Sequence, residues 1–428
     1  MTEAGIRLMT ASGSRIEPKE VATMRKACFA LLALTLFSTS GLAQQPAQPN
    51  DLDQQLRQEE TYLRLDPNDV VAHHNRASIY FRMGEYDKAL ADFDEAIRLM
   101  PGRAETYNNR AAVYLRMEEF GKAVADYSHA IELGFAGAYS GRGSAYALSG
   151  NYDLAYADFD KALEIKPDFA DAIGNRAMSY VLQSRFDRAL PDFDRAIALD
   201  QNNVDFYEGR GTALFMLGQP DKAIADFNGT IQFTGSQRVK NRANVYIARG
   251  GAYTLSGQYD AGLADFVKAV EIDPTSAEAY ANRGATYAML NQLDRGISDM
   301  DRAIFLNPDD ADYYNARAGL LFRLGQTDKA LADLNRALSL NPKQSMARLN
   351  RGQIYALKGR LDDAIADYDK AVQLRPDDAE VYYNRGVAHV RKGDVAKAEF
   401  DLKEALRLKP DHLEARQKLQ ALKGEVEQ

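Results

Sequence analysis

The chain has 428 residues, 46% of them apolar and 27% charged, with a formal net charge of −8, a soluble globular composition. Residues 1–43 hold five Lys/Arg against three Asp/Glu, so the rest stands at −10 and, having no basic block, is a poor candidate for nucleic acid. Cys28 is the only cysteine, which excludes an intramolecular disulfide and a cysteine-based metal site or nucleophile outside the N-terminal segment.

The first predicted element begins at Met24, "MRKACFALLALTLFSTSGLAQQ". Arg25 and Lys26 form a charged start, Ala27 to Phe37 an apolar run, and Gly41-Leu42-Ala43 a small-residue cleavage site, the pattern of a secretory signal peptide. Met24 is then the expected true start, and residues 1–43 are an extension removed near Ala43. The mature chain would begin near Gln44, exported and periplasmic, without cysteine. The apolar run is shorter than the ~20 residues that cross a bilayer, so no membrane span is expected in the mature chain. Cys28 precedes that run and does not resemble a lipoprotein acceptor cysteine.

Residues 44–69 read as a linker and a capping half-unit, "DLDQQLRQEETYLRLD", ending before Pro67. Beyond it the sequence matches itself at a period of 34, with starts at Val70, Ala104, Ala136, Ala170, Val204, Ala243, Ala277, Ala311, Ser345 and Ala379. Each unit predicts a first helix with Tyr or a similar group at position 4, Gly/Ala at 8 and usually Tyr at 11. A Gly-centred turn leads to a second helix with Ala at 20, Phe/Tyr/Leu at 24 and Ala at 27, typically closed by proline, as at Pro101, Pro167 and Pro274. Two spacings depart: 32 residues from Ala104 to Ala136, and 39 from Val204 to Ala243, where "FTGSQRVKN" is inserted. The insertion reads either as a hinge dividing residues 70–241 from 242–412, or as a loop of no consequence. Residues 413–428, "HLEARQKLQALKGEVEQ" with His412, read as a polar final cap.

The segment "AEAYANRGATYAMLNQLDRGISDMDRAIFLNPDD", residues 277–310, closely resembles the tetratricopeptide repeat, and the resemblance covers about residues 51 to 428. It implies an all-α fold, a right-handed α-solenoid superhelix of tandem helix-turn-helix repeats. The first helices would line a concave surface where positions 2, 5, 6, 9, 12 and 13 face a bound segment. Position 6 is Asn75, Asn109, Asn175, Asn282, Asn350 and Asn384, similar to the asparagine ladder by which some relatives hold an extended peptide. An amide offers both a donor and an acceptor to a peptide unit. The other reading is an asparagine that simply recurs and is hydrated. Position 13 runs Leu148, Leu182, Met216, Leu255 and Met289 between Arg82, Arg116 and Arg323, Arg391. With Phe215 and Val181 at position 12, these form either an apolar concave strip or packing for the next repeat. The clamp for an acidic C-terminal carboxylate found in chaperone-cofactor relatives is absent, because position 5 is His74, Asn108, Ser140 and Gly174.

Position 7 is Arg throughout, from Arg76 to Arg385, where the family usually has leucine, and position 23 is as uniformly Asp. Both lie on the apolar stripes of their helices. Pairing with the preceding repeat would set Arg76 against Gln58 and Asp401 against Leu419, whereas pairing within a repeat leaves no orphan. Ion pairs of two buried charges, such as Arg76–Asp92, Arg210–Asp226 and Arg283–Asp299, are therefore expected to fix how the two helices cross, in preference to an arginine row for an anionic polymer.

Catalysis finds no foothold: the five histidines are scattered, no metal-ligand spacing or glycine-rich phosphate loop occurs, and no cofactor is implied. The reading is a non-enzymatic exported scaffold or adaptor that binds an extended peptide or protein partner in its concave groove. The alternative is a periplasmic scaffold of a polysaccharide secretion or envelope assembly machine.

Overall fold

The computed structural model describes residues 49–232 and 243–426; the expected signal peptide and the insertion at 234–241 lie outside the described residues. Among the described residues there are 22 helices and no strand, so the fold is all-α. They fall into two compact units that divide between Ile272 and Asp273.

The first unit opens with α1 (Pro49–Leu65) and continues in pairs. These are α2 (Val70–Met83) with α3 (Tyr86–Leu99), α4 (Ala104–Arg116) with α5 (Phe120–Glu132), and α6 (Ala138–Leu148) with α7 (Tyr152–Ile165). There follow α8 (Ala170–Leu182) with α9 (Phe186–Leu199), α10 (Val204–Met216) with α11 (Pro220–Gln232), and α12 (Ala243–Leu255) with α13 (Tyr259–Ile272). The second unit pairs α14 (Ala277–Met289) with α15 (Leu293–Leu306), α16 (Ala311–Arg323) with α17 (Thr327–Leu340), α18 (Ser345–Leu357) with α19 (Leu361–Leu374), and α20 (Ala379–Lys392) with α21 (Val395–Leu408). It closes with α22 (Leu413–Val426). Within each pair the helices pack on each other, and each pair packs on its neighbours in the same unit.

Local chemistry sets these boundaries. Asp69 caps α2 by accepting from the Val71 and Ala72 amides, and Asp310 and Asp378 cap α16 and α20 similarly. First helices stop at position 15, where the chain turns left-handed. Seven of these residues are glycines with φ between 75° and 85°, while Glu118, Ser184 and Asn291 adopt the same turn at φ 60°, 58° and 59°. Second helices run out into an extended residue such as Lys166, as the following Pro167 demands.

Where the helices of a pair cross, only small residues fit. Ala77 and Ala89 are fully buried in one cluster with the Phe93 ring in the α2–α3 pair. In α14–α15 both crossing positions are glycine, and a Cβ on Gly284 would lie 2.9 Å from the Gly296 carbonyl oxygen. Each buried ring contributes about 1.5–3 kcal/mol. The core is therefore a row of local clusters, for instance Tyr107, Ala111, Ala123 and Tyr127, and each pair needs its neighbours to complete it.

Candidate functional site

The arginines occupy the middle of the first helices and each forks onto the aspartate sixteen residues later. Arg76 donates from Nε and Nη2 to Asp92 at 2.7 and 2.8 Å, Arg210 to Asp226 at 2.9 and 2.7 Å, and Arg283 to Asp299 at 2.8 Å twice. The same fork recurs at Arg110, Arg142, Arg176, Arg249, Arg317, Arg351 and Arg385. A planar guanidinium suits this bidentate geometry.

The expectation of two buried charges needs correction on one side. The Asp226 side chain is 8% exposed but that of Arg210 is 24% exposed. The remaining edge of the guanidinium reaches outward: Arg210 Nη1 donates at 2.7 Å to Asp194 of the preceding pair, whose side chain is 62% exposed. Arg110, Arg176, Arg317 and Arg385 do likewise to Asp94, Asp160, Asp301 and Asp369, while Arg142, Arg249 and Arg351 use Ser128, Asn228 and Asn335. Sequence reasoning missed this second link, although its signal stood in the recurring Asp-x-Asp, two residues after position 23. Tyrosines flank the guanidinium: Arg110 lies 5.6 and 5.9 Å from the Tyr107 and Tyr114 ring centroids. The hydrogen bond to Asp226, outweighing burial and joined by Asp194, raises the Arg210 pKa above its ordinary value.

The six asparagines do not form a uniform row. The side-chain Nδ2 donates to Glu59 from Asn75, to His74 Nε2 from Asn109, to Ser140 from Asn175, to Asn315 from Asn350, and to the Glu380 carbonyl from Asn384. His74 can accept because burial, followed by the nearby Arg103, lowers its pKa to about 4 and keeps the ring neutral. Asn282 differs: it is buried, and its Nδ2 has no hydrogen-bond partner among the described residues. One turn earlier Glu278 is also buried with Oε1 unpartnered. Burial, with Asp310 adding to it against the opposing Asn282 contact, raises its pKa to about 8.

Of the apolar candidates, Phe215 is buried, whereas Leu148, Leu182, Met216 and Leu255 in the first unit and Met289 in the second keep partial exposure. Arg323 and Arg391 at the same position serve the fold. They donate to the Ala288 and Ala356 carbonyls, at the C-terminal turn of the preceding first helix. Among the described residues, no group of three or more acidic, histidine or cysteine side chains could hold a metal ion, and no helix is long and apolar enough to cross a membrane.

Family models described as TPR repeat match residues 250–291, 320–359 and 352–393, and models described as Tetratricopeptide repeat match residues 69–134, 136–169, 175–236 and 379–412. No curated protein matches the chain. Among solved structures, YrrB, described as a TPR protein with an unusual peptide-binding site, is 27% identical over 45% of this chain and 96% of its own, with a TM-score of 0.36. Yeast Tom70 is 17% identical over 96% of this chain and 97% of its own, at a TM-score of 0.49. MamA is 25% identical over 38% and 94%, at 0.35. With its helices packed in consecutive pairs and matches to the repeat models from residue 69 to residue 412, the chain belongs to the tetratricopeptide repeat family.

Proposed function

We propose that the protein is an exported adaptor whose first helices hold an extended segment of a polypeptide partner. A tetratricopeptide array is a protein-interaction scaffold, which supports the coarse part of this reading. The observation that carries the finer part is the run of partly exposed aliphatic side chains, Leu148, Leu182, Met216 and Leu255, at the last turn of four consecutive first helices. Aliphatic groups with one flexible methionine among them suit a partner recognised by shape and apolarity.

The test is binding of a fluorescein-labelled peptide, acetyl-(Leu-Gly-Ser)4-amide, to the chain and to a double variant, Leu182→Asp with Leu255→Asp. The double variant should lose binding by about tenfold or more, since each substitution sets a charge in the apolar strip, while its helical circular dichroism is unchanged. Equal binding by both proteins would remove the strip from the site. Export is tested separately: the protein recovered from outside the cytoplasm should begin at or near Gln44, and retention of residues 1–43 would overturn it.

A further inference from the structure

At position 4 some first helices turn a donor back onto the proline carbonyl six residues earlier, at the turn that enters the helix. Tyr314 donates its hydroxyl to Pro308 O at 3.2 Å, and Arg348 donates from Nη2 to Pro342 O at 2.9 Å. Arg348 also directs Nη1 at Asp367 Oδ1, 3.5 Å away, so that one cation joins the turn to the second helix. His73 holds the same two places in the α2–α3 pair: Nε2 lies 3.0 Å from Pro67 O and Nδ1 lies 3.0 Å from Asp92 Oδ1. Both oxygens are acceptors only, whereas a neutral imidazole has a single N–H to give. Either neutral tautomer therefore sets a nitrogen lone pair against an oxygen, on a residue only 9% exposed.

We propose that His73 is charged in the folded protein and works as a pH-dependent latch on the N-terminal cap, tying the turn between α1 and α2 to α3 while protonated and releasing it as pH rises. Pro67 lies in that turn, and α1 packs on α2. The side-chain bonds from Asn75 to Glu59 and from Arg82 to Gln55, which join α2 to α1, are long at 3.3 and 3.4 Å, so the tie at Pro67 counts in holding the cap. The charged groups around His73 are Asp69 and Arg76 on its own side, Asp92 and Glu95 on α3, Arg98 bonded to Glu95, and Glu60 on α1, which acts on Arg76. The Arg98 hydrogen bond, outweighing burial and joined by the charges of Arg98 and His73, lowers the Glu95 pKa. His74 does not share the role: burial, followed by Arg103, lowers its pKa to about 4 and keeps it neutral above that. The second donor of His73 exists only while the ring is charged, so the link is present at lower pH and lost as pH rises.

Hydrogen exchange of the full chain between about pH 5.5 and 8.5, corrected for the intrinsic pH dependence of exchange, reads the latch in residues 49–65. Protection there should fall about tenfold or more across that range in the wild type, the size of one charge-assisted hydrogen bond lost. His73→Arg supplies the permanent cation that Arg348 provides in its own pair, and should hold α1 protected at both ends of the range. His73→Gln should leave α1 weakly protected throughout. Imidazole nitrogen shifts of the wild type need no variant: the His73 ring should carry protons on both nitrogens near pH ~6 and lose one as the protection of α1 falls. Constant protection of α1 in the wild type, a fall that persists in His73→Arg, or a His73 ring with one proton throughout would each overturn the latch.

Discussion

At the scale of single residues, Arg210 separates two kinds of ion pair on one side chain. Asp226 is buried and Asp194 is exposed, so the two contacts differ in worth though both measure 2.7 Å. Arg210→Leu strands the Asp226 carboxylate and should cost about 3–5 kcal/mol, while replacing both with leucine should be near neutral. Asp194→Ala should cost less than about 1 kcal/mol. Urea denaturation of the single and double variants gives the coupling. Glu278 carries the other residue-scale expectation. Its folded pKa, about 8, lies above the ordinary 4.5, so its contribution is fully present below about pH 4.5 and lost as pH rises through 8. Glu278→Gln should therefore match the wild type near pH 4.5 and exceed it near pH 9, by at most about 4–5 kcal/mol, in urea unfolding followed at both pH values. The Arg–Asp partnership was legible because both residues recur at fixed positions. The burial of Glu278 was not, because a glutamate at the second position of a first helix reads as solvated until its neighbours are placed.

At the scale of the helix pair, turn and crossing make opposite demands on glycine. Ser184 and Glu118 hold a left-handed turn that glycine holds at seven equivalent positions. Ser184→Gly and Glu118→Gly should each stabilise the protein by up to about 1 kcal/mol, measured as a rise in denaturation midpoint at constant slope. Gly284→Ala should destabilise by about 1–3 kcal/mol, because the new methyl meets the Gly296 backbone oxygen at 2.9 Å, which has no rotamer by which to yield. The helices, their turns and the proline stops could be read from spacing and residue type. The close approach of α14 and α15 could not, since glycine and alanine at a crossing both read only as small.

At the scale of the whole molecule, damage should stay local. Each pair packs on its neighbours within a unit, so Arg210→Leu should lower hydrogen-exchange protection in α8 to α12 and leave residues 273–426 near wild-type levels. A uniform loss across both units would contradict that expectation. In the sequence the insertion before Ala243 stood out, as a hinge or as a loop of no consequence, because length is what repeat spacing makes visible. The compact units of the structure divide between Ile272 and Asp273, where the repeat spacing does not depart from 34.

The two-way arginine has a consequence for how such a chain can change in length. Every copy of the 34-residue unit brings a fork for its own aspartate and a free edge for whatever stands ahead of it, while most copies expose an oxygen for whatever follows. Where the copy ahead carries Asp, Asn or Ser two residues after its inner aspartate, a unit duplicated or deleted whole therefore leaves matching joints on both sides of the splice. Growth or shortening at such joints demands no compensating substitution, and the acceptor there is free to drift between Asp, Asn and Ser as long as the inner fork is kept.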